Sequence, residues 1–309
     1  MKGEKRMIES SMMGLFVGDA LGAQVEFKSK ERIRSYFDER GGFDMYDGGT
    51  FNLVKGQVTD DSEMAMALIR SFDEMGDDYD PQIALKWYKK WINASPFDYG
   101  ITTSNALWYG EKNMDSQANG ALMRCAPLAW KYRDRDLKYL MEVAEEDCRL
   151  THPNPVCVDA NKIYIACMWL YLNGWEIEDI YDFIVSDDFY DIYFVDKTYW
   201  KNLLKKTIMV GWNNFETNQG WVVIGLYNAL YHFFAETSFE DAMKETIYAG
   251  GDTDTNACIC GALVGLSKEV PAKWVEAVRN CSPKKGEVKN GRPEWLWTSK
   301  YKELFEIVM

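Results

Sequence analysis

Histidine is scarce in this chain: only His152 and His232 occur among 309 residues. That scarcity, with no GxSxG turn and no Cys-His signature, argues against acyl transfer through a base-activated serine or cysteine. The seven cysteines show no CxxC spacing, and Cys258-x-Cys260 is too tight for a zinc knuckle, so the thiols read as reduced and buried. No GxxxxGK[ST] run and no strand-borne GxGxxG is present, which removes the familiar phosphate cradles. Nowhere do ~18 apolar residues run uninterrupted, and the opening MKGEKRMIESSMMG lacks the apolar core and small-residue cleavage site of a secretory signal. A cytoplasmic protein without a membrane partner is expected.

Positive charge is in short supply too. Lys and Arg total 35 against 48 Asp and Glu, a net charge of -13. Such a chain repels a phosphate backbone, so no nucleic-acid partner is expected. The surplus carboxylates leave some free to serve as ligands for a divalent cation. Only 8 prolines occur, no low-complexity run or fixed-period repeat is found, and 47% of residues are apolar. Nothing reads as a linker, so residues 1–309 are expected to form one packed domain.

What is abundant is helical periodicity. DSEMAMALIRSF at 61–72 and QIALKWYKKWI at 82–92 place apolar side chains three and four apart with charges opposite. Similar patterns fall near 8–24, 119–131, 137–148, 156–173, 199–211, 219–236, 239–249, 255–267 and 271–280. No sustained two-residue alternation competes, and the expected fold is all-α, a single compact many-helix domain. Gly14, Gly18 and Gly22 in one helix and Gly261 and Gly265 in another recur every four residues, which predicts close approach of two central helix axes. The stretch 41–57 holds Gly41, Gly42, Gly48, Gly49 and Gly56, and reads equally as a flap over a site or as a surface loop.

Two acidic clusters stand at predicted helix starts: Thr59-Asp60-Asp61-Ser62-Glu63, and Asp252-Thr253-Asp254-Thr255 after Gly250-Gly251. Either one alone is an ordinary helix cap, with Asp60 and Glu63 spaced as a capping box. A cap needs one acceptor, not several. Together, adjacent hydroxyl and carboxylate oxygens at two helix starts supply the hard ligands that magnesium or manganese prefers. Converging carboxylates without cations would repel one another, and a pair of divalent ions removes that cost.

Five collinear segments extend this reading: GDALGAQVEF at 18–27, VTDDSEMAMAL at 58–68, NGALMRCAPLA at 119–129, LTHPNP at 150–155 and GGDTDTNACICGAL at 250–263. They resemble the signature segments of the ADP-ribosylglycohydrolase family, which includes the dinitrogenase reductase-activating glycohydrolases. The resemblance implies an all-helical fold with a cleft holding two Mg2+ or Mn2+ ions that chelate the ribose of the modified side chain. It implies Thr59, Asp60 and Asp61 as one ligand group and Asp252, Asp254 and Thr255 as the other. Glu26 matches the family glutamate that reaches the metal site or the attacking water from a mobile flap. Asn119 and Gly120 resemble a turn that binds the diphosphate or ribose, and His152 a histidine near the bound nucleotide. Asp98, in DYGITT, resembles an acid of the arginine-specific branch, although Ile101 stands where that branch often has asparagine. His232, in YHFFAE, is expected in the core.

The implied activity is cleavage of the glycosidic bond between ribose and an acceptor side chain of an ADP-ribosylated protein, releasing ADP-ribose. Glu26 or Asp61 would be the general base and Asp98 the acid. Arginine is the expected acceptor, with serine-linked or other ADP-ribose adducts as alternatives. The family also includes relatives recruited as lens crystallins, so a non-catalytic structural or ADP-ribose-binding protein is the competing reading. Every mapped ligand position here carries an oxygen-bearing residue, which weighs against it.

Overall fold

In the computed structural model, which describes residues 2–194, 198–207 and 214–309, helix follows helix from end to end. The first half holds α1 (Lys2–Gly22), α2 (Lys30–Asp38), α3 (Asp60–Ser71), α4 (Pro81–Ile92), α5 (Ile101–Tyr109), α6 (Ala126–Lys131), α7 (Leu137–Cys148) and α8 (Pro155–Leu172). The second holds α9 (Ile177–Ile184), α10 (Asp187–Tyr193), α11 (Thr198–Thr207), α12 (Val222–Phe234), α13 (Phe239–Tyr248), α14 (Thr253–Ser267), α15 (Ala272–Arg279) and α16 (Tyr301–Val308). Short 3-10 turns at Glu294–Leu296 and Thr298–Lys300 precede α16. Among the described residues no strand forms, only isolated bridges such as Ala118 with Trp221.

Local chemistry sets many of the boundaries. Asp80 and Asn154 accept from the first amides of α4 and α8, each of which opens on a proline whose missing N–H costs nothing there. The most extensive pairing is α1 against α14. A Cβ on Gly18 would fall on the carbonyl of Ala257, and one on Gly22 would strike the backbone of Thr253 and Asp254. The predicted glycine stripe therefore works as close packing, and it presses the end of α1 onto the start of α14. α12 and α13 cover α14, α7 packs on α8, and α3 on α4. One apolar cluster runs through all of them, from Ile8 to Val308.

The helices differ from the expected ones in two respects. The helix expected over 119–131 begins only at Ala126; residues 119–124 are turns, and Pro127 lies in the first helical turn. The 199–211 helix is observed as α11, and residues 208–211 lie outside the described residues. α2, α5, α9, α10 and α16 were not anticipated; each has nine residues or fewer, too few turns to display a period. The glycine-dense stretch packs on the fold, with Thr50 N donating to Gln24 O at 3.0 Å and Tyr46 N to Gln24 Oε1 at 2.8 Å. All seven cysteines are buried and unpaired, and His232 is buried on α12. No helix of the described residues is long and apolar enough to cross a membrane.

Candidate active site

The start of α3 is capped from another helix. Asp19, buried on α1, accepts from Thr59 N and Thr59 Oγ1 at 3.0 and 2.9 Å through Oδ1, and from Ser62 N and Ser62 Oγ at 3.0 and 2.6 Å through Oδ2. Burial pushes Asp19 up to about 6, although those four bonds favour its ionised form. The capping box that the spacing of Asp60 and Glu63 would allow does not form. Glu63 turns into the core, where Trp91 and Arg292 donate to it. With the cap supplied by Asp19, the side chains of Asp60 and Asp61 are not needed for it.

The start of α14 is equally unspent. Asp252 is the residue before its first turn but makes no side-chain cap bond there; instead its Oδ2 accepts from Asn119 Nδ2 at 2.7 Å. Thr59 Oγ1 lies 3.0 Å from Asp61 Oδ2 and 3.5 Å from Asp254 Oδ2. Two clusters far apart in sequence thus meet at one threonine. Glu26, just beyond the end of α1, and Asp98, just ahead of α5, complete the group: one carboxylate oxygen each of Glu26, Asp98 and Asp254 lie within 4.8 Å of one another.

This concentration of acid carries an electrostatic cost. Burial first, then repulsion from Asp252, Asp98 and Asp61, raises Glu26 to about 10. Burial, then Asp252 and Asp19, brings Asp98 to about 7. Asp60, Asp61 and Asp254 are all raised well above the usual carboxylate range, by burial and then by their acidic neighbours. Glu26 Oε2 and Asp61 Oδ1 are buried without any hydrogen-bond donor. Acceptors converging without donors, all of them oxygen, form a donor set that fits hard divalent cations.

A cleft of about 420 Å3 opens beside the cluster, within the size range of small-molecule sites. Glu26, Asp60, Asp98, Asp252, Asp254 and Thr255 line one part of it, and Asn119, Gly120, His152, Thr103, Gln219 and Gly220 another. Thr59 and Asp61 are not in its lining and are buried beneath. His152 is buried, with Nδ1 2.8 Å from Thr151 Oγ1, and burial lowers it to about 3, so its ring is neutral. A Cβ at Gly120 would meet His152 Nε2 at 3.1 Å and Thr103 Oγ1 at 2.9 Å, so a larger residue there would push one of these side chains aside. The amide of Asn119 is bonded to Gly220 O at 2.9 Å, so it is not a free donor for an anion at that turn.

The structure thus gathers every site residue expected from the sequence and adds Asp19, Thr103, Gln219 and Gly220. One signal existed for Asp19: a carboxylate inside the apolar second half of α1 has to find partners in the interior.

Comparison with known proteins bears on this arrangement. The model of the family described as ADP-ribosylglycohydrolase matches residues 4–303. A protein of Acanthamoeba polyphaga mimivirus that carries an ADP-ribosyl glycohydrolase name is 30% identical over 305 residues, covering 88% of this chain and 90% of its own. ADP-ribosylarginine hydrolase Tri1 of Pseudomonas putida (strain GB-1) is 27% identical over 296 residues, 87% of this chain and 73% of that one. A solved structure named ADP-ribosylglycohydrolase-related protein complex covers 100% of both chains with a TM-score of 0.74. Its identity of 23% makes that a likeness of fold.

Proposed function

The chain belongs to the ADP-ribosylglycohydrolase family, and from that premise we propose that it removes ADP-ribose from modified protein side chains, arginine in particular, with the help of two divalent cations. The observation that carries the reading is the convergence of Glu26, Asp98 and Asp254 beside a cleft wide enough for a small molecule. The likeness to an ADP-ribosylarginine hydrolase supports arginine as the acceptor. The unpaired thiols support a reducing, cytoplasmic setting.

Thr59, Asp60, Asp61, Asp252, Asp254 and Thr255 would hold two ions, Mg2+ or Mn2+, which when bound supply positive charge to grip the ribose hydroxyls. The remaining chemistry falls to the chain's own groups. Positive charge builds on the anomeric carbon as the glycosidic bond lengthens, and the acidic wall favours it. Glu26 is better placed than Asp61 to act as the base, because it lines the cleft whereas Asp61 is buried beneath, and bound cations would offset the acidic repulsion that, after burial, holds its proton on. It takes a proton from the attacking water. Asp98 gives a proton to the departing side-chain nitrogen. Asn119 and Gly120 contact the ribose or diphosphate, and the neutral edge of His152 packs against the nucleotide.

The choice of acceptor is tested by measuring free ADP-ribose released from arginine-modified and serine-modified protein side by side. Faster release from the arginine adduct supports the proposal. Turnover of the serine adduct alone overturns it.

A further inference from the structure

The segment after α15 grips the parts of the chain that carry the acidic cluster. Arg292, only 2% exposed, donates through Nε and Nη2 to the two carboxylate oxygens of Glu63 at 2.6 and 2.8 Å. Through Nη1 the same guanidinium reaches Ala94 O at 3.2 Å and Ser95 O at 2.9 Å. Glu63 stands on α3 two residues after Asp61, and Ala94 and Ser95 lie in the loop between α4 and α5 that carries Asp98. Ser95 adopts a left-handed φ of 57°, a strained setting for a non-glycine residue, which Arg292 helps to hold.

A second attachment reinforces the first. Asn290 Nδ2 donates to Phe51 O at 2.7 Å, and the Phe51 ring packs at 5.6 Å on Phe97, the neighbour of Asp98. Gln57 Nε2 donates to Asn290 O at 2.7 Å, tying down the loop that leads into Thr59.

We propose that Arg292 is a positioning residue for the acidic cluster: one planar guanidinium fixes the distance between α3, which bears Asp60 and Asp61, and the loop that bears Asp98. A lysine cannot do this, because a single ammonium does not satisfy a bidentate carboxylate and two carbonyls at once. The inference rests on the cation-binding reading of the cleft. Arg70 provides a control. It joins the same C-terminal segment to the far end of α3, through Nε to Trp295 O at 3.1 Å, without reaching the loop of Asp98.

The test titrates wild type, Arg292→Lys, Arg292→Met and Arg70→Met with Mn2+ by calorimetry, each well below its melting temperature, and follows amide hydrogen exchange over residues 94–100. Both Arg292 variants should bind Mn2+ about tenfold or more weakly, as happens when a residue behind a metal ligand is removed. Exchange near Asp98 should accelerate, while Arg70→Met melts earlier with affinity and exchange unchanged. If Arg292→Met does not fold, Arg292→Lys decides. Unchanged affinity and exchange in Arg292→Lys would overturn the proposal, as would equal losses in Arg70→Met. A wild type that binds no Mn2+ refutes the cation reading, and the exchange comparison then decides the brace by itself.

Discussion

The Asp19 carboxylate accepts from both the amide and the hydroxyl of Ser62, at 3.0 and 2.6 Å, across the contact between α1 and α3. With its matching pair of bonds to Thr59, this cap leaves the first acids of α3 unspent. Replacing Asp19 by alanine strands the amides of Thr59 and Ser62 and the Ser62 hydroxyl, and the expected loss of stability is about 3 kcal/mol or more. Urea unfolding measures it. A loss below about 1 kcal/mol would show that the donors find other partners.

The acidic cluster should make stability depend on cations. Mg2+ or Mn2+ binding only the folded chain adds about 2.7 kcal/mol at a hundredfold excess over its dissociation constant. Asp254→Asn removes one of the repelling charges, so it should melt higher than wild type in EDTA and gain less from Mn2+. Equal cation gains in both proteins would exclude Asp254 as a ligand.

Close approach of α1 and α14 predicts that size, not polarity, is what Gly18 cannot tolerate. Gly18→Val should fail to fold or lose more than about 3 kcal/mol, since its Cβ falls on the carbonyl of Ala257. Gly3, whose added Cβ meets nothing within 4 Å, should accept alanine freely. Circular dichroism melts of the two variants separate these outcomes.

Burial lowers His232 to about 4 from its ordinary 6.5, so the folded protein keeps the ring neutral while the unfolded chain takes up a proton. Its contribution is therefore fully present above about pH 6.5 and is lost as the pH falls toward 4. The loss at pH 5 is about 2 kcal/mol by linkage. The stability of wild type relative to His232→Gln should fall by that amount between about pH 7.5 and 5 in urea titrations. A difference that stays constant with pH would contradict a neutral buried ring.

Much of this molecule is legible in its sequence. Long amphipathic windows such as 61–72 gave away their helices, and the glycine stripes announced the α1–α14 contact, because both signals are periodic and local. The two acidic clusters were visible as well, but their convergence was not. It depends on Thr59 lying between Asp61 and Asp254, a contact across 195 residues that no local pattern encodes. Asp19 caps the start of α3 and Arg292 holds the carbonyls of Ala94 and Ser95; each acts on a distant backbone segment, which no local pattern encodes. The capping-box spacing of Asp60 and Glu63 goes unused for the same reason, since a buried arginine more than two hundred residues away competes for Glu63.

The most direct test of the central claim is ADP-ribose release from arginine-modified protein by wild type and Asp254→Asn, in Mn2+ and in EDTA. Release by wild type in Mn2+, and its loss on chelation or in the variant, is the expected result. Release that persists undiminished in EDTA and in Asp254→Asn would contradict a cation-dependent site built from these acids.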